Sequence, residues 1–490
     1  MSTIGDTEVV DVSQPVDSAS ARPKWVWLAF LLATGLYAGP AVWMLRVYIQ
    51  PAFDLAIYDQ SLWLIAHGEV FNTVGGGHIF GTHFSPVLYP LSLLSWLPGG
   101  AVPELVAQGL LVASGVFPAW KLGQLLERDP RWFVLAYALH PALFTGSWYG
   151  FRPWNLAAPV FMWLLVWLVR SPSVGRMVAF GLVMLVFRED LALWVGLASL
   201  ILFIGEKIRF RQLLFAAIPL AAVSFFILLK VIPAFSPTNA YVFVSLQPPS
   251  PFTAQLFVSS AVMRVLFLFT PLAVIPTTLN WKLTLPLLVP IAGLVALGGN
   301  AVTTFYHYDM MFVPLLLLIV GLSPKAETHL RLIPLLAIVV AMLIGPLRPF
   351  EPLFGPNPFK YDMVTVNVYD QLKSELESLP AHQTESISAP AHLLTHFAER
   401  QNAFIYPNPA DPHPSGVFSV LRFNCPEPNL VVSDDRIPAP TWEESTVANY
   451  RATFKIGDTF TTWVRKEITA HTPCSSFIDS DSQSSTPPTR

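Results

Sequence analysis

The sequence is poor in charge. Only 12% of its 490 residues are Asp, Glu, Lys or Arg, whereas a soluble protein carries roughly 25%. Hydrophobic residues make up 53% of the chain, and the mean hydropathy is +0.51. The formal net charge is -3, and no dense block of lysine and arginine occurs, which argues against nucleic acid as a partner. This composition predicts a polytopic α-helical membrane protein.

Cysteine is also scarce, and no internal repeat is visible. The two cysteines, Cys425 and Cys474, both lie in the less hydrophobic C-terminal part. If that part is extracytoplasmic they could form one disulfide, and two unpaired thiols fit the sequence as well. No metal-binding motif uses them.

About eleven apolar runs, with a range of nine to thirteen, are candidate membrane spans. A bilayer core of about 30 Å needs about 20 helical residues, and fewer where short hairpins pack inside a bundle. The first run exceeds the core of a secretory signal peptide, so we expect an uncleaved span. The runs lie near 25–45, 103–121, 132–147, 155–170, 174–188, 190–205, 212–232, 255–275, 282–298, 308–322 and 330–346.

The segment 83–97 decides which way these spans point. It is apolar, but it is short for a crossing and contains Pro86 and Pro90. If it lies on the membrane surface and the N-terminus is cytoplasmic, the inner loops collect most of the basic residues, as the positive-inside rule requires. The outer side of the bundle then keeps only Arg46, Arg152, Arg188, Lys230 and Arg348. We therefore predict that 83–97 does not cross.

The same topology defines the domains. We expect a disordered cytoplasmic N-terminus over 1–21, and a transmembrane bundle over 22–347 with a large first outer loop at 46–102. From 351 the content of Pro, Ser, Glu and Asp rises, and short apolar runs alternate with helix-like stretches. This pattern predicts a soluble extracytoplasmic α/β domain over 351–475. A disordered tail follows over 476–490.

With this topology, the polar and aromatic residues that interrupt or flank the apolar spans lie on the outer face, whereas the inner face has solvated basic loops. They are Asp54, Asp59, His67, His78 and His83 in the first outer loop; Trp148, Arg152 and Trp154 in the second; Arg188, Glu189 and Asp190 in a tight turn; and Tyr306, His307, Tyr308 and Asp309 before the tenth span.

The turn FREDLALW places three consecutive ionisable residues, Arg188, Glu189 and Asp190, between two apolar runs. A charge at the middle of a bilayer costs about 2.5–3.5 kcal/mol on insertion scales, so the three must face water, protein or each other. One interpretation is a hairpin turn in which Arg188 neutralises a carboxylate. The other is the polar wall of an outward-facing cavity.

The first loop opens with FDLAIYDQSLWLIAHG, residues 53–68. On a helix, Asp59, Trp63 and His67 share one face, whereas Asp54 and Asp59 lie about 140° apart. We interpret Asp59 as a surface aspartate. Asp54 is either a helix N-cap or a catalytic base held at the membrane surface. The four-residue gap between His78 and His83 is not a zinc signature, and no metal ligand is assigned.

The stretches FDLAIYDQSLW and GTHFSPVLYPLSLLSWL, with weaker matches in FREDLAL, FYHYDMMFVPLLL and VYDQLKSELESLP, resemble the family of bacterial membrane proteins called DUF2079. That family in turn resembles the GT-C glycosyltransferases, multi-span enzymes with an acidic residue in a large first outer loop, which take sugars from polyprenyl-phosphate carriers. The resemblance implies a GT-C-like architecture. It also implies amphipathic helices between the first two spans, where 83–97 lies.

For the site, the resemblance implies that Asp54 is the general base. The other candidate catalytic carboxylates are Asp59, Glu189 and Asp190, and the candidate substrate and phosphate ligands are Arg152, Arg188, His83, His307 and Tyr308. A divalent cation bridging carboxylate and phosphate is compatible with this chemistry, and no other cofactor is implied. The chain departs from the family at FRPWN, where Arg152 and Asn155 stand in place of a histidine and a carboxylate.

The predicted function is therefore an inverting transfer of a sugar from a polyprenyl-phosphate donor to a glycan or other envelope acceptor, at the outer face of the cell membrane. Its partners are the lipid-linked donor, the acceptor and membrane lipids. A transporter or flippase of lipid-linked solutes would place ionisable residues near the bilayer midplane and often show repeats. A non-catalytic envelope-assembly protein would use the outer domain for binding, with Asp54 structural.

Overall fold

The computed structural model describes most of the helical bundle and the central part of the C-terminal region. The described residues are 23–50, 54–236, 254–272, 281–297, 307–323, 332–343, 363–380, 386–405, 429–434, 450–456 and 460–466. The predicted N-terminal segment, the predicted tail, and Cys425 and Cys474 lie outside them.

Helices dominate the described residues between 23 and 343. The first half contains α1 Lys24–Arg46, α2 Leu55–Ala66, α3 Leu88–Leu91, α4 Val102–Ala113, α5 Val116–Leu125, α6 Pro130–Ala138, α7 Pro141–Trp148, α8 Ala157–Arg170, α9 Val174–Leu185 and α10 Leu191–Ile204. The second half contains α11 Phe210–Phe226, α12 Ile232–Phe235, α13 Ala254–Phe269, α14 Trp281–Thr284, α15 Leu288–Leu297, α16 Phe312–Leu322 and α17 Ile333–Leu343. Shorter 3-10 turns include Ser92–Trp96, Pro153–Leu156 and His307–Asp309.

Within the described ranges, four helices are long and apolar enough to cross a membrane: Lys24–Arg46, Val102–Leu125, Pro153–Arg170 and Phe210–Phe235. Five shorter apolar helices, of 10 to 17 residues, accompany them. Short helices of this kind fit a bundle in which neighbouring helices satisfy backbone groups near the helix ends. The bundle core is built of aliphatic and aromatic side chains from almost all of these helices. The total of eleven spans stays a prediction.

The segment 83–97 forms two short helical turns, Leu88–Leu91 and Ser92–Trp96, which pack against α2. Together they are much shorter than the roughly 20 residues that a crossing needs. Leu93, Trp96 and Leu97 are exposed apolar side chains, which suits a segment lying at a membrane interface. Its side of the membrane stays a prediction.

The C-terminal region combines helices with a five-stranded sheet. The helices are α18 Met363–Ser378 and α19 Ala391–Leu394, and the strands are β3 Ser386–Ala389, β4 Asn402–Ile405, β5 Leu430–Asp434, β6 Tyr450–Ile456 and β7 Phe460–Arg465. The strand order is β4-β3-β5-β7-β6. Strand β3 is parallel to both β4 and β5, and β7 is antiparallel to both β5 and β6. A separate two-stranded hairpin, β1 Phe71–Asn72 and β2 Gly77–His78, lies in the first loop.

The first loop (residues 46–102) and the C-terminal region share one hydrophobic core. Tyr48, Ala56 and Val74 of the first loop are buried among the side chains of α18, α19 and the sheet. The Gln60 amide donates to the backbone carbonyl of Arg400 at 3.0 Å, and the Thr73 hydroxyl donates to the carbonyl of Ala403 at 2.8 Å. These contacts fix the C-terminal region directly over α2.

Candidate functional site

Two buried glutamines hold the backbone that follows α7. The Gln50 amide donates to the Trp148 carbonyl at 2.6 Å and accepts from the Gly150 amide at 2.8 Å. Gln108 of α4 donates to the Gly150 carbonyl at 2.9 Å and accepts from the Arg152 amide at 3.0 Å. Both glutamines are fully buried. Each glutamine bonds both a carbonyl and an amide of residues 148–152. The backbone of this segment is therefore held in place, and it sets where the Arg152 side chain begins.

Gly150 brings this loop against the start of α2. Its φ is +77°, a conformation that costs residues with a Cβ about 1–2 kcal/mol. A Cβ placed there would lie 3.0 Å from the Cβ of Asp54. The glycine therefore permits both the left-handed turn and the close approach of the two chain segments.

Asp54 forms an ion pair with Arg152. It occupies the residue before α2, but its side chain makes no hydrogen bond to the helix, so the N-cap interpretation is wrong. The carboxylate Oδ2 instead accepts from the Arg152 guanidinium, whose other terminal nitrogen donates to the Tyr149 carbonyl. The Arg152 side chain is 1% exposed and that of Asp54 is 23% exposed. A buried cation thus holds a partly exposed carboxylate.

The FREDLALW turn supplies a second pair of this kind. Glu189 accepts from the His83 ring at 2.8 Å and from the Phe84 amide at 2.9 Å. The Glu189 side chain is 1% exposed and that of His83 is 15% exposed. Next to them, Arg188 donates to both oxygens of Asp190, at 2.5 and 2.6 Å. The predicted neutralisation of a carboxylate by Arg188 is therefore present in the structure, with Asp190 as the carboxylate.

Contacts of Trp154 and Tyr58 connect the Asp54–Arg152 pair with the His83–Glu189 pair. The Trp154 ring centroid lies 5.0 Å from that of His83 and 5.5 Å from that of Tyr58. The Arg188 guanidinium carbon lies 4.9 Å from the Trp154 centroid, a cation–π contact. We call the group of Asp54, Tyr58, His83, Arg152, Trp154, Arg188, Glu189 and Asp190 the Trp154 cluster.

Burial and neighbouring charges shift the pKa of Tyr58 and of Asp190 in the Trp154 cluster. Burial, together with the charges of Asp54 and Glu189, raises the pKa of Tyr58 well above its usual value, and Arg152 and Arg188 oppose the shift. For Asp190, burial opposes ionisation, but the charge and hydrogen bonds of Arg188 and the charge of His83 outweigh it and lower the pKa. Tyr58 is thus neutral at pH 7, and Asp190 is ionised.

Asp59 lies elsewhere and is not a surface residue. Its side chain is buried beside Glu104 of α4 and Glu399, which follows α19. Carboxylate oxygens of the three lie within 4.8 Å of one another. Burial, then the charges of Glu104 and Glu399, raise the pKa of Asp59. The surface interpretation is wrong because the C-terminal region covers this face of α2, and a catalytic role for Asp59 stays a prediction.

The remaining predicted residues lie apart from the Trp154 cluster or outside the description. Tyr308 is half-buried in the turn His307–Asp309 beside α7, and the His307 side chain is not among the described ones. Asp309 accepts from the Arg264 guanidinium of α13 at 2.7 Å, and both side chains are fully buried. The His78 ring stacks on Phe235 and accepts from the Phe80 amide at 3.1 Å.

Four structural partners, Glu104, Gln108, Arg264 and Glu399, were missed in the sequence analysis. Glu104 and Gln108 are single polar residues inside an apolar run, a signal that could have marked them. Arg264 gives the same signal within its own run. Glu399 carries none, because an acidic residue in a polar domain is ordinary.

A family model of predicted membrane proteins, DUF2079, matches residues 47–446 of the chain. The chain belongs to this family. No curated protein matches the chain. The match includes every residue of the Trp154 cluster and most of the C-terminal region of this DUF2079 protein. Family membership and the apolar helices together establish a membrane protein.

Proposed function

We propose that this protein is an inverting glycosyltransferase that acts at the outer face of the membrane. It transfers a sugar from a polyprenyl-phosphate donor to a glycan or other envelope acceptor. The proposal rests on one observation. Two partly exposed groups, Asp54 and His83, are each held by a buried partner of complementary chemistry, Arg152 and Glu189. The His83 ring contacts Trp154, and Trp154 contacts Tyr58, which interacts electrostatically with Asp54. Catalysis needs side chains whose orientation is set before substrate arrives.

Asp54 is the general base. Arg152 is the only described residue that hydrogen-bonds its carboxylate, at Oδ2, which leaves Oδ1 for the acceptor. As the acceptor hydroxyl attacks the anomeric carbon, its proton passes to Asp54, and the bond from that carbon to the phosphate oxygen breaks. The new C–O bond forms on the face opposite the departing phosphate, so the configuration inverts. The polyprenyl phosphate leaves with the electron pair.

Arg188 and His83 face the leaving group in this proposal. A departing phosphate bears negative charge, and fixed donors aimed at it lower the barrier. The guanidinium suits this role because its planar fork donates two parallel hydrogen bonds to phosphate. Arg188 is held by Asp190 and stacked on Trp154, so its direction is constrained. The family-typical histidine and carboxylate are absent at FRPWN, and Arg152 there positions Asp54 instead of contacting substrate.

The GT-C resemblance supports the same assignment. Its acidic residue in the first loop corresponds to Asp54, at the beginning of α2. The exposed apolar residues of 83–97 would lie against the lipid, close to the site where a membrane-bound donor must enter. The C-terminal region packs on the same loop and would contribute to acceptor binding.

The test uses purified full-length protein with labelled polyprenyl-phosphate sugars. We expect turnover by the wild type and a loss of about 10²–10⁴-fold in Asp54→Asn, the usual contribution of a general base. Asp129→Asn is the matched control, because Asp129 caps α6 away from the cluster and Asn caps a helix equally well. Unchanged turnover in Asp54→Asn would remove Asp54 from the mechanism. Absence of turnover with every donor would refute a transferase.

A transporter is the second candidate, favoured by the buried pair of Arg264 and Asp309. Their Nε and Oδ1 atoms lie 2.7 Å apart and both side chains are 0% exposed. Ionisable residues inside a bundle commonly mark a path for protons or solutes. In proteoliposomes a transporter would move a labelled lipid-linked solute without changing it covalently, and Asp309→Asn would abolish the movement. The non-catalytic assembly role has no comparable observation in its favour.

A further inference from the structure

Three carboxylates from distant parts of the chain meet beneath the C-terminal region. They are Asp59 on α2, Glu104 in the first turn of α4, and Glu399 after α19. We call them the carboxylate triad. One oxygen of each lies within 4.8 Å of the others. They sit on the face of α2 that the C-terminal region covers, and none belongs to the Trp154 cluster.

The triad lacks the hydrogen-bond partners that buried carboxylates normally have. Asp59 is 1% exposed and Glu104 is 0% exposed. Within the described part of the chain, neither oxygen of Glu104 has a partner on another residue, and Oδ1 of Asp59 and Oε1 of Glu399 have none. Burying a polar group without a partner is costly, and burying a charge is far more so. A bound cation would supply the partner that these oxygens lack.

The nearby basic residue, Arg400, acts on Glu399 but not on the other two carboxylates of the triad. Arg400 interacts electrostatically with Glu399, and its guanidinium lies over the Phe397 ring at 5.3 Å. It is not among the groups that act on Asp59 or Glu104. At least two buried carboxylates thus remain without a counter-charge from the described residues.

We propose that the carboxylate triad binds one hard divalent cation, Ca²⁺ in preference to Mg²⁺, which clamps the C-terminal region onto the first loop. Oxygen ligands suit these ions, whereas a zinc site would supply His or Cys. Ca²⁺ has oxygen ligands at 2.3–2.6 Å, so two ligands on opposite sides of the ion are about 5 Å apart. The spacing within the triad matches this limit. Mg²⁺ demands shorter distances and a stricter geometry.

The surrounding contacts explain why a cation there would matter. Gln60, next to Asp59, bonds the backbone of Arg400 and Gln401, and Thr73 both donates to and accepts from the backbone of Ala403. The cation would add a charged link to this neutral interface. The inference does not depend on Asp54 being a base, since the triad shares no residue with that site.

The experiment measures cation binding by full-length protein in detergent after treatment with EDTA. Calorimetric titrations with CaCl₂ and MgCl₂ give affinity and stoichiometry, and thermal unfolding gives the shift in Tm. Glu104→Gln and Glu399→Gln each remove one charged ligand at nearly constant volume. Glu375→Gln is the control, because Glu375 is exposed on α18 of the same region. We expect one Ca²⁺ per chain, with affinity at least about tenfold lower in the two triad variants and unchanged in the control.

The rise of Tm with Ca²⁺ should disappear in the triad variants, because a ligand that binds only the folded state stabilises it. If the wild type binds no more Ca²⁺ or Mg²⁺ than Glu104→Gln, the proposal is wrong. The proposal would also be wrong if the wild-type Tm did not change with either cation but increased as the pH falls. Protons would then be the ligand of the carboxylate triad. The second outcome uses the wild type alone, so the test does not depend on whether a variant folds.

Discussion

Asp54→Asn is expected to destabilise the protein more than Arg152→Met, although Asp54 is the more exposed partner. The reason is what each substitution leaves behind. Arg152 is 1% exposed and cannot lose its proton in a protein, so without Asp54 a fixed charge stays buried. Asp54 is 23% exposed and can be hydrated once Arg152 is gone.

The magnitudes follow from these surroundings. Removing one partner of a buried ion pair costs about 3–5 kcal/mol. Asparagine at position 54 still offers an oxygen to Arg152, so we expect about 3 kcal/mol for Asp54→Asn. Arg152→Met loses the bond to the Tyr149 carbonyl but leaves a solvated carboxylate, for which we expect about 2 kcal/mol. The double variant should cost less than the sum of the single variants by about 2 kcal/mol.

The assay is reversible unfolding of the purified protein in mixed detergent, with the free energy of unfolding measured for all four forms. Turnover is measured below each midpoint, so that lost activity is separated from lost structure. A coupling energy under about 0.5 kcal/mol, or a larger cost for Arg152→Met than for Asp54→Asn, would refute the argument that Arg152 is a buried charge balanced by Asp54.

Substitutions at Gly150, His396 and Glu189 test three other parts of the structure. Gly150→Ala should cost about 1–2 kcal/mol in the free energy of unfolding, because φ is +77° and the new Cβ would lie 3.0 Å from the Asp54 Cβ; an unchanged midpoint would contradict this. Burial and the charge of Lys373 lower the pKa of His396 from 6.5 to about 4. Its contribution to stability is therefore complete above pH 6.5 and is lost as the pH falls toward 4; His396→Gln should flatten the profile of Tm against pH in that window. Glu189→Gln should reduce sugar transfer about tenfold by releasing the His83 ring, with Tm measured alongside; equal turnover would exclude a positioning role for Glu189.

Much of the architecture could be predicted from composition and hydropathy. Long apolar runs in a chain with 12% charge predict membrane helices because no soluble fold buries so much apolar surface. The resemblance of FDLAIYDQSLW and its companion motifs to DUF2079 is confirmed by the family match. Helix lengths were predicted less well: the run 103–121 corresponds to a longer helical segment, Val102–Leu125, with a turn at residues 114–115, because hydropathy does not register where helical hydrogen bonding is interrupted.

The sequence indicated many residues of the Trp154 cluster, but it did not indicate which of them pair across long distances in the chain. Arg152, Arg188 and Glu189 stood out as charges among apolar residues, and the arginine–carboxylate contact in the FREDLALW turn followed from their adjacency. The pairing of Asp54 with Arg152 did not, because the N-cap rule is local and the real partner comes from a loop about one hundred positions later. Gln108 could have been marked as a polar residue in an apolar run, but no local rule indicates the loop that it and Gln50 bind.

Composition and hydropathy were enough to predict that the protein lies in a membrane and to mark the charges that need a partner there. The reason is that the energy of transferring a side chain into lipid depends on its type, and the length of an apolar run limits whether it can span. Which charges meet across distant parts of the chain depends on the packing of those parts. Asp54 immediately precedes α2 and Asp59 lies within it. The two have the same chemistry, yet one faces Arg152 near solvent and the other is buried against Glu104 and Glu399. Helical geometry separates their directions, and what each direction encounters depends on how distant segments pack, which no local pattern encodes.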